Sequence, residues 1–87
     1  MKKQLNCDTV AKIHLKIGKN VKKHRASRKI SQLDLAEMIG YKSVSSVSMA
    51  EINYKGIHFN IENLANIAKI LDVGIEELFD GVSEIIY

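Results

Sequence analysis

The sequence predicts an all-α protein, a compact five-helix bundle, and three observations carry that reading. Apolar residues recur at three- and four-residue steps in several separate segments, the spacing of a helix face. Proline is absent and aromatic residues make up only 6% of the chain, too little turn punctuation for a small β-sandwich or barrel. Hydrophobic residues make up 46% of the 87 residues, enough to pack one small core and too many for wholesale disorder.

Taken in order, residues 1–8 read as a flexible basic arm, 9–79 as the folded domain and 80–87 as an apolar tail. Asp8 or Thr9 is the expected cap of the first helix. Val10, Ile13, Ile17 and Val21 mark its buried face as far as about Ala26, with Lys12, Lys16, Lys19, Lys22 and Lys23 mostly off that face. Gly18 sits inside this helix at a cost of about 1 kcal/mol against Ala, which points to close approach of another backbone or to a small kink. Ser31 with Asp34 three residues on is close to a capping box and starts the second helix. Leu35, Ala36 and Ile39 form its stripe, and the small Ala36 lets the next helix pass closely. Gly40 closes it, and Tyr41 and Lys42 make the turn.

Ser43 is the expected cap of the third helix, which runs to about Ile52. Val47 should point inward, and Val44, Ser45, Ser48 and Met49 mainly outward. Asn53 to Phe59 reads as a loop with Gly56 as its flexible point. Asn60 caps the fourth helix, whose broad apolar face is Ile61, Leu64, Ala65, Ile67, Ala68 and Leu71. After a break at residues 72–74, Glu76 and Glu77 suit the first turn of a short fifth helix ending near Phe79. Val82, Ile85, Ile86 and Tyr87 are an apolar set that either folds onto its own core or covers a second subunit.

The net charge of +3 hides an asymmetry. Residues 1–42 hold eleven Lys or Arg and three acids, whereas residues 43–87 hold two Lys and seven acids. A basic half on a small domain is an electrostatic footprint for nucleic acid, with a solvated helix face as the competing reading. Cys7 is the only cysteine, which excludes an internal disulfide framework and a multi-cysteine zinc site and favours a reducing compartment. No apolar run approaches the roughly 18 residues of a membrane span, and no apolar segment follows the basic start as a signal peptide requires. The cytoplasm is the expected location, with no membrane partner.

Catalytic chemistry finds no support. His14, His24 and His58 are scattered without metal-ligand spacing, and the adjacent Glu76 and Glu77 diverge on a helix. No nucleophile elbow or glycine-rich phosphate loop is present. Neither an enzyme nor a cofactor is expected.

Two helices joined by a Gly-containing turn, the second rich in small polar residues, make the helix-turn-helix pattern. Here the chain resembles the Cro and phage-repressor family of DNA-binding domains, the xenobiotic-response-element regulators. The resemblance rests on Ile17-Gly18 with Val21 and Arg25, Ser31-Gln32, Leu35-Ala36, Gly40, Ser46-Val47-Ser48, Glu51, Leu64, Ile67-Ala68, Leu71 and Glu77-Leu78-Phe79, over roughly residues 17–79. It departs from the family pattern in four places. Gly40 to Glu51 spans one residue more than usual. Lys29 and His24 stand where Gly and Leu are common, and Met49 where Arg is common. The Asn53–Phe59 loop is longer, with His58 and Phe59 near a usual Pro.

The resemblance implies a lambda-repressor-like fold with its helix-turn-helix at the second and third helices. It also implies that the third helix enters the major groove of double-stranded DNA. Ser43, Val44, Ser45, Ser48 and Met49 would then face bases. Serine hydroxyls suit several bases, and Val and Met suit a thymine methyl. With no Arg, Asn or Gln on that helix, weight passes to apolar contact and DNA shape. Gln32 would meet a phosphate at the start of the second helix. Lys42 would reach phosphate or a base, and Asn53 and Lys55 the DNA backbone, with simple solvent exposure competing in each case. Arg25 and Glu51 would pair as an ion bridge from the first helix to the third. The implied protein is a transcriptional regulator, a repressor by occupancy, acting as a homodimer on two half-sites about 34–36 Å apart. The alternatives are the antitoxin of a toxin–antitoxin pair, with a toxin as partner, and a protein-interaction module that has lost DNA binding.

Overall fold

Five α-helices and two short 3₁₀ segments make up the computed structural model, which describes residues 4–40 and 43–87. The helices are α1 (Cys7–Ser27), α2 (Gln32–Met38), α3 (Val44–Glu51), α4 (Ile61–Leu71) and α5 (Val82–Ile86). A single 3₁₀ turn (Tyr54–Gly56) follows α3, and a 3₁₀ helix (Ile75–Phe79) follows α4. No strand occurs among the described residues.

Helix α1 starts earlier than its sequence suggests. Asn6, not Asp8 or Thr9, is the cap, its Oδ1 accepting from the Thr9 N–H at 2.7 Å and the Thr9 hydroxyl at 2.9 Å. Cys7 and Asp8 are therefore helical, and Asp8 lies in the first turn, where a carboxylate suits the positive end of the dipole. The arm's residues 1–3 lie outside the described residues. The first turns of α1 project past the core, so Val10 is exposed at the head of the expected stripe. Ile13 is half-buried, and Ile17 and Val21 are enclosed.

The core is a single cluster centred on Val21, Leu35, Val47, Ile67, Leu71 and Leu78, all fully enclosed. Helix α4 covers it with Leu64, Ile67, Ala68 and Leu71, the i, i+3, i+4, i+7 set of one helix face. This stripe is narrower than expected. Ile61 lies at the open end of α4 and is 69% exposed, and Ala65 faces solvent. Asn60 caps α4, its Oδ1 accepting from the Asn63 N–H at 2.7 Å. Phe59, just before it, is a buried anchor of the loop.

The expected fifth α-helix ending near Phe79 is instead the 3₁₀ helix, fixed by Leu78 in the core and by the Gly74 N–H donating to Glu77 Oε2 at 2.8 Å. The apolar tail supplies the fifth α-helix. Val82 is buried and Ile85 half-buried, and α5 packs along α1, whereas Tyr87 is 99% exposed. Asn20, a buried polar residue on α1, fastens this region. Its Nδ2 donates to the Leu78 and Asp80 carbonyls, both at 2.9 Å, satisfying carbonyls that so short a helix leaves open.

Gly18 sets the crossing of α1 over α3. A Cβ there would run into the carbonyl oxygen of Glu51, lie 2.7 Å from its carbonyl carbon and 2.9 Å from the Ala50 oxygen. Close backbone approach, not a kink, is the reason for this glycine. Gly18→Ala should therefore lower stability by about 1–3 kcal/mol through overpacking, against the roughly 1 kcal/mol that alanine gains in helix propensity. Urea unfolding checks this, and a variant as stable as the parent would refute the close crossing.

Candidate nucleic-acid interface

The α2–turn–α3 unit is built from local rules. Ser31 caps α2 through a complete capping box. The Asp34 N–H donates to Ser31 Oγ at 2.9 Å, and the Ser31 N–H donates to Asp34 Oδ2 at 3.4 Å. Gly40 ends the unit's first half at φ +77°, with open space around its Cα. Its positive φ alone calls for glycine. Tyr41 and the expected DNA contact Lys42 lie outside the described residues. Ser43 then opens α3 in extended conformation, and its side chain makes no capping bond.

On α3, Val47, Ala50 and Glu51 face the core. Ser43, Val44 and Ser45 are exposed, and Ser48 and Met49 are half-buried. Ile52, at the C-terminal end, is 59% exposed and belongs to the same outward face. Its signal in the sequence is its place seven residues after Ser45, two helical turns along.

One buried carboxylate holds α3 at its angle. Arg25 Nε donates to Glu51 Oε2 at 2.8 Å and Nη2 to Oε1 at 3.1 Å, a bidentate pair. The Arg25 and Glu51 side chains are only 10% and 1% exposed. Arg25 Nη1 donates to the Ile30 carbonyl at 2.8 Å, which fixes the α1–α2 connection. Gln32 completes the group, its Nε2 donating to Glu51 Oε1 at 2.9 Å. That placement engages one of the two amide N–H groups of Gln32 and holds the side chain to the fold. Its clue in the sequence is faint, since Gln32 and Glu51 are 19 residues apart.

Asn53 is also drawn inward. It adopts φ +53°, with Nδ2 donating to the Ala11 carbonyl at 3.4 Å and Oδ1 enclosed without a partner. Lys55 is exposed at φ +51°, its ammonium 5.4 Å from the Tyr54 ring centroid, within cation–π range.

The loop after α3 rests on α1 through two histidines that sequence reading left scattered. The His14 and His58 rings stack with centroids 3.7 Å apart and planes 15° from parallel. His58 Nδ1 lies 2.8 Å from the Gly56 carbonyl. A carbonyl only accepts, so that nitrogen donates. Near-parallel rings do not converge two nitrogens on one ion, and no group of three metal-ligating side chains occurs among the described residues. Burial, and then the charge His58 would carry, hold the His14 pKa below the usual histidine value.

The basic half of the chain is not one free surface. Lys23 and His24 share a hollow with Glu76, Glu77 and Asp80, and Lys16 lies over Gly81 near Glu84. The lysines on that side of α1 face the acidic C-terminal region, which partly balances them. No helix among the described residues is long and apolar enough to cross a membrane.

Among known proteins, a family model described as helix-turn-helix matches residues 21–78, from the middle of α1 through the 3₁₀ helix. No curated protein and no solved structure matches the chain.

Two outcomes follow from this geometry. Glu51→Leu alone should cost about 3–5 kcal/mol because it strands a buried guanidinium. Adding Arg25→Met should recover much of that loss, and thermal unfolding of the single and double variants measures it. Strictly additive losses would show that the two groups do not interact. The second outcome concerns His14. With its folded pKa depressed, the unfolded chain binds the proton first, near pH 6.5, so stability falls as pH drops below that value. His14→Gln should shrink the loss of melting temperature between pH 7.5 and 5.5. An unchanged loss would remove His14 as its source.

Proposed function

The chain belongs to the helix-turn-helix family of DNA-binding regulators, of the Cro and phage-repressor type, and from that premise we propose that it is a sequence-specific transcriptional repressor. In this reading α3 lies in the major groove with Ser43, Val44, Ser45, Ser48 and Met49 toward the bases. Lys42 and Lys55 take flanking phosphates, whose counterion release gives most of the affinity. Gln32 and Asn53 act as positioning residues, one holding α3 against α2 and the other holding its exit against α1. The protein acts in the cytoplasm as a homodimer, because two half-sites one helical turn apart need two recognition helices. It represses by occupying an operator.

The observation that carries this reading is the Arg25–Glu51–Gln32 cluster. It joins α1, α2 and α3 at one carboxylate while Val44 and Ser45 remain outside. A second reading draws on the exposed apolar side chains Leu33, Met38, Val44 and Ile52 on α2 and around α3. Apolar exposure of this kind also suits a protein partner, as in an antitoxin that holds a toxin or an interaction module that has lost DNA binding.

Mobility shift over a salt series, with duplexes selected from a random pool and scrambled controls, tests the proposal. Selected duplexes should bind more tightly, and log affinity should fall linearly with log salt by about 0.9 per phosphate contact. Ser45→Glu should abolish specific binding and leave helix content and melting temperature unchanged. Failure to shift any duplex at low salt would sink the repressor reading and leave the protein-partner one.

A further inference from the structure

We propose that α3 reads thymine, so that each half-site is an A·T-rich element recognised through the C5-methyl groups lining the major groove. The inference rests on the DNA-binding reading above and specifies its ligand.

Each base asks for a different partner in the major groove. Guanine takes the paired donors of Arg or Lys, adenine the donor–acceptor edge of Asn or Gln, and cytosine an acidic acceptor, whereas thymine presents a methyl group. The outward residues of α3 and its end are Val44, Ser45, Ser48, Met49 and Ile52. None of them meets the first three demands. The one charged residue of α3, Glu51, faces inward with both oxygens engaged by Arg25 and Gln32.

The two carboxamides beside α3 are also withdrawn. One N–H of the Gln32 amide is held by Glu51 and the side chain is half-buried, so it is anchored to the fold and not free to align with an adenine edge. That of Asn53 is directed to the Ala11 carbonyl. What the face presents is aliphatic and thioether surface, with Val44 38% and Ile52 59% exposed. The hydroxyls among them suit any base and discriminate weakly. Methyl groups are what such a surface can bury.

The test uses the full chain and a half-site selected from a random duplex pool. Each thymine is then replaced in turn by deoxyuridine, which lacks only the methyl group. A·T-rich selection is expected, with affinity falling about fourfold per contacted methyl and the salt slope unchanged. Val44→Ala and Met49→Ala, checked for native melting, should each make at least one uridine replacement silent. Selection of a G·C core, indifference to uridine at every position, or loss of the preference in Lys42→Ala would overturn thymine readout while leaving DNA binding intact. Absence of binding to any duplex would instead overturn the DNA-binding reading and this inference with it.

Discussion

The Glu51 carboxylate is the constraint on which the rest of the structure depends. It sits at the end of the eight-residue α3, yet it receives three hydrogen bonds, two from α1 and one from α2. A carboxylate removed from water is tolerated only when its lone pairs are met. Meeting them forces three separate elements to one point. The second contact at that point is steric, because Gly18 lets the α1 backbone pass directly over the Ala50 and Glu51 carbonyls. Charge and close packing thus act on the same turn of α3. An error of one residue in either would tilt the whole outward face.

This explains how an eight-residue helix with so little side-chain bulk keeps a defined orientation. Val47 and Ala50 are its only enclosed apolar residues. Hydrophobic burial alone would hold such a segment weakly, at about 1.5–3 kcal/mol for a valine-sized side chain. The polar contacts from below fix its angle in addition to that burial. The outward side chains are left without a structural duty, and they can be small.

Much of the fold is legible in the sequence because its signals are local. Ser31 with Asp34, Asn60 before an apolar run, and Gly40 at a positive φ are read within four residues of one another. Leu35, Val47 and Leu71 follow from helical spacing. The breaks come where pairing is long-range or the backbone departs from an ordinary helix. Nothing local tells that His14 stacks on His58, that Asn20 reaches Leu78, or that Gln32 turns to Glu51. The 3₁₀ winding of Ile75–Phe79 is equally hidden, since the apolar residues of a five-residue segment fit either helix type. Ile61 and Val10 keep the phase of a buried stripe past the end of the surface that could bury them. At the site, outward Val44 and Ser45 are legible from periodicity. The inward turn of Asn53 is not, because it follows from a left-handed backbone at a non-glycine residue.

The Asn20 side chain has a consequence for the order in which this protein is made. Its two hydrogen bonds span 58 and 60 residues, joining the middle of the first helix to carbonyls that emerge from the ribosome long afterwards. Until Leu78 and Asp80 have been synthesised, the polar group of Asn20 has no native partner, and the face of α1 that receives α5 stays bare. Contacts of such separation slow folding, because a long loop must close before they form. The helix-turn-helix itself is local and can take shape early. The native state is completed only when the chain returns to its first helix, which couples the outward face of α3 to the integrity of residues far from it.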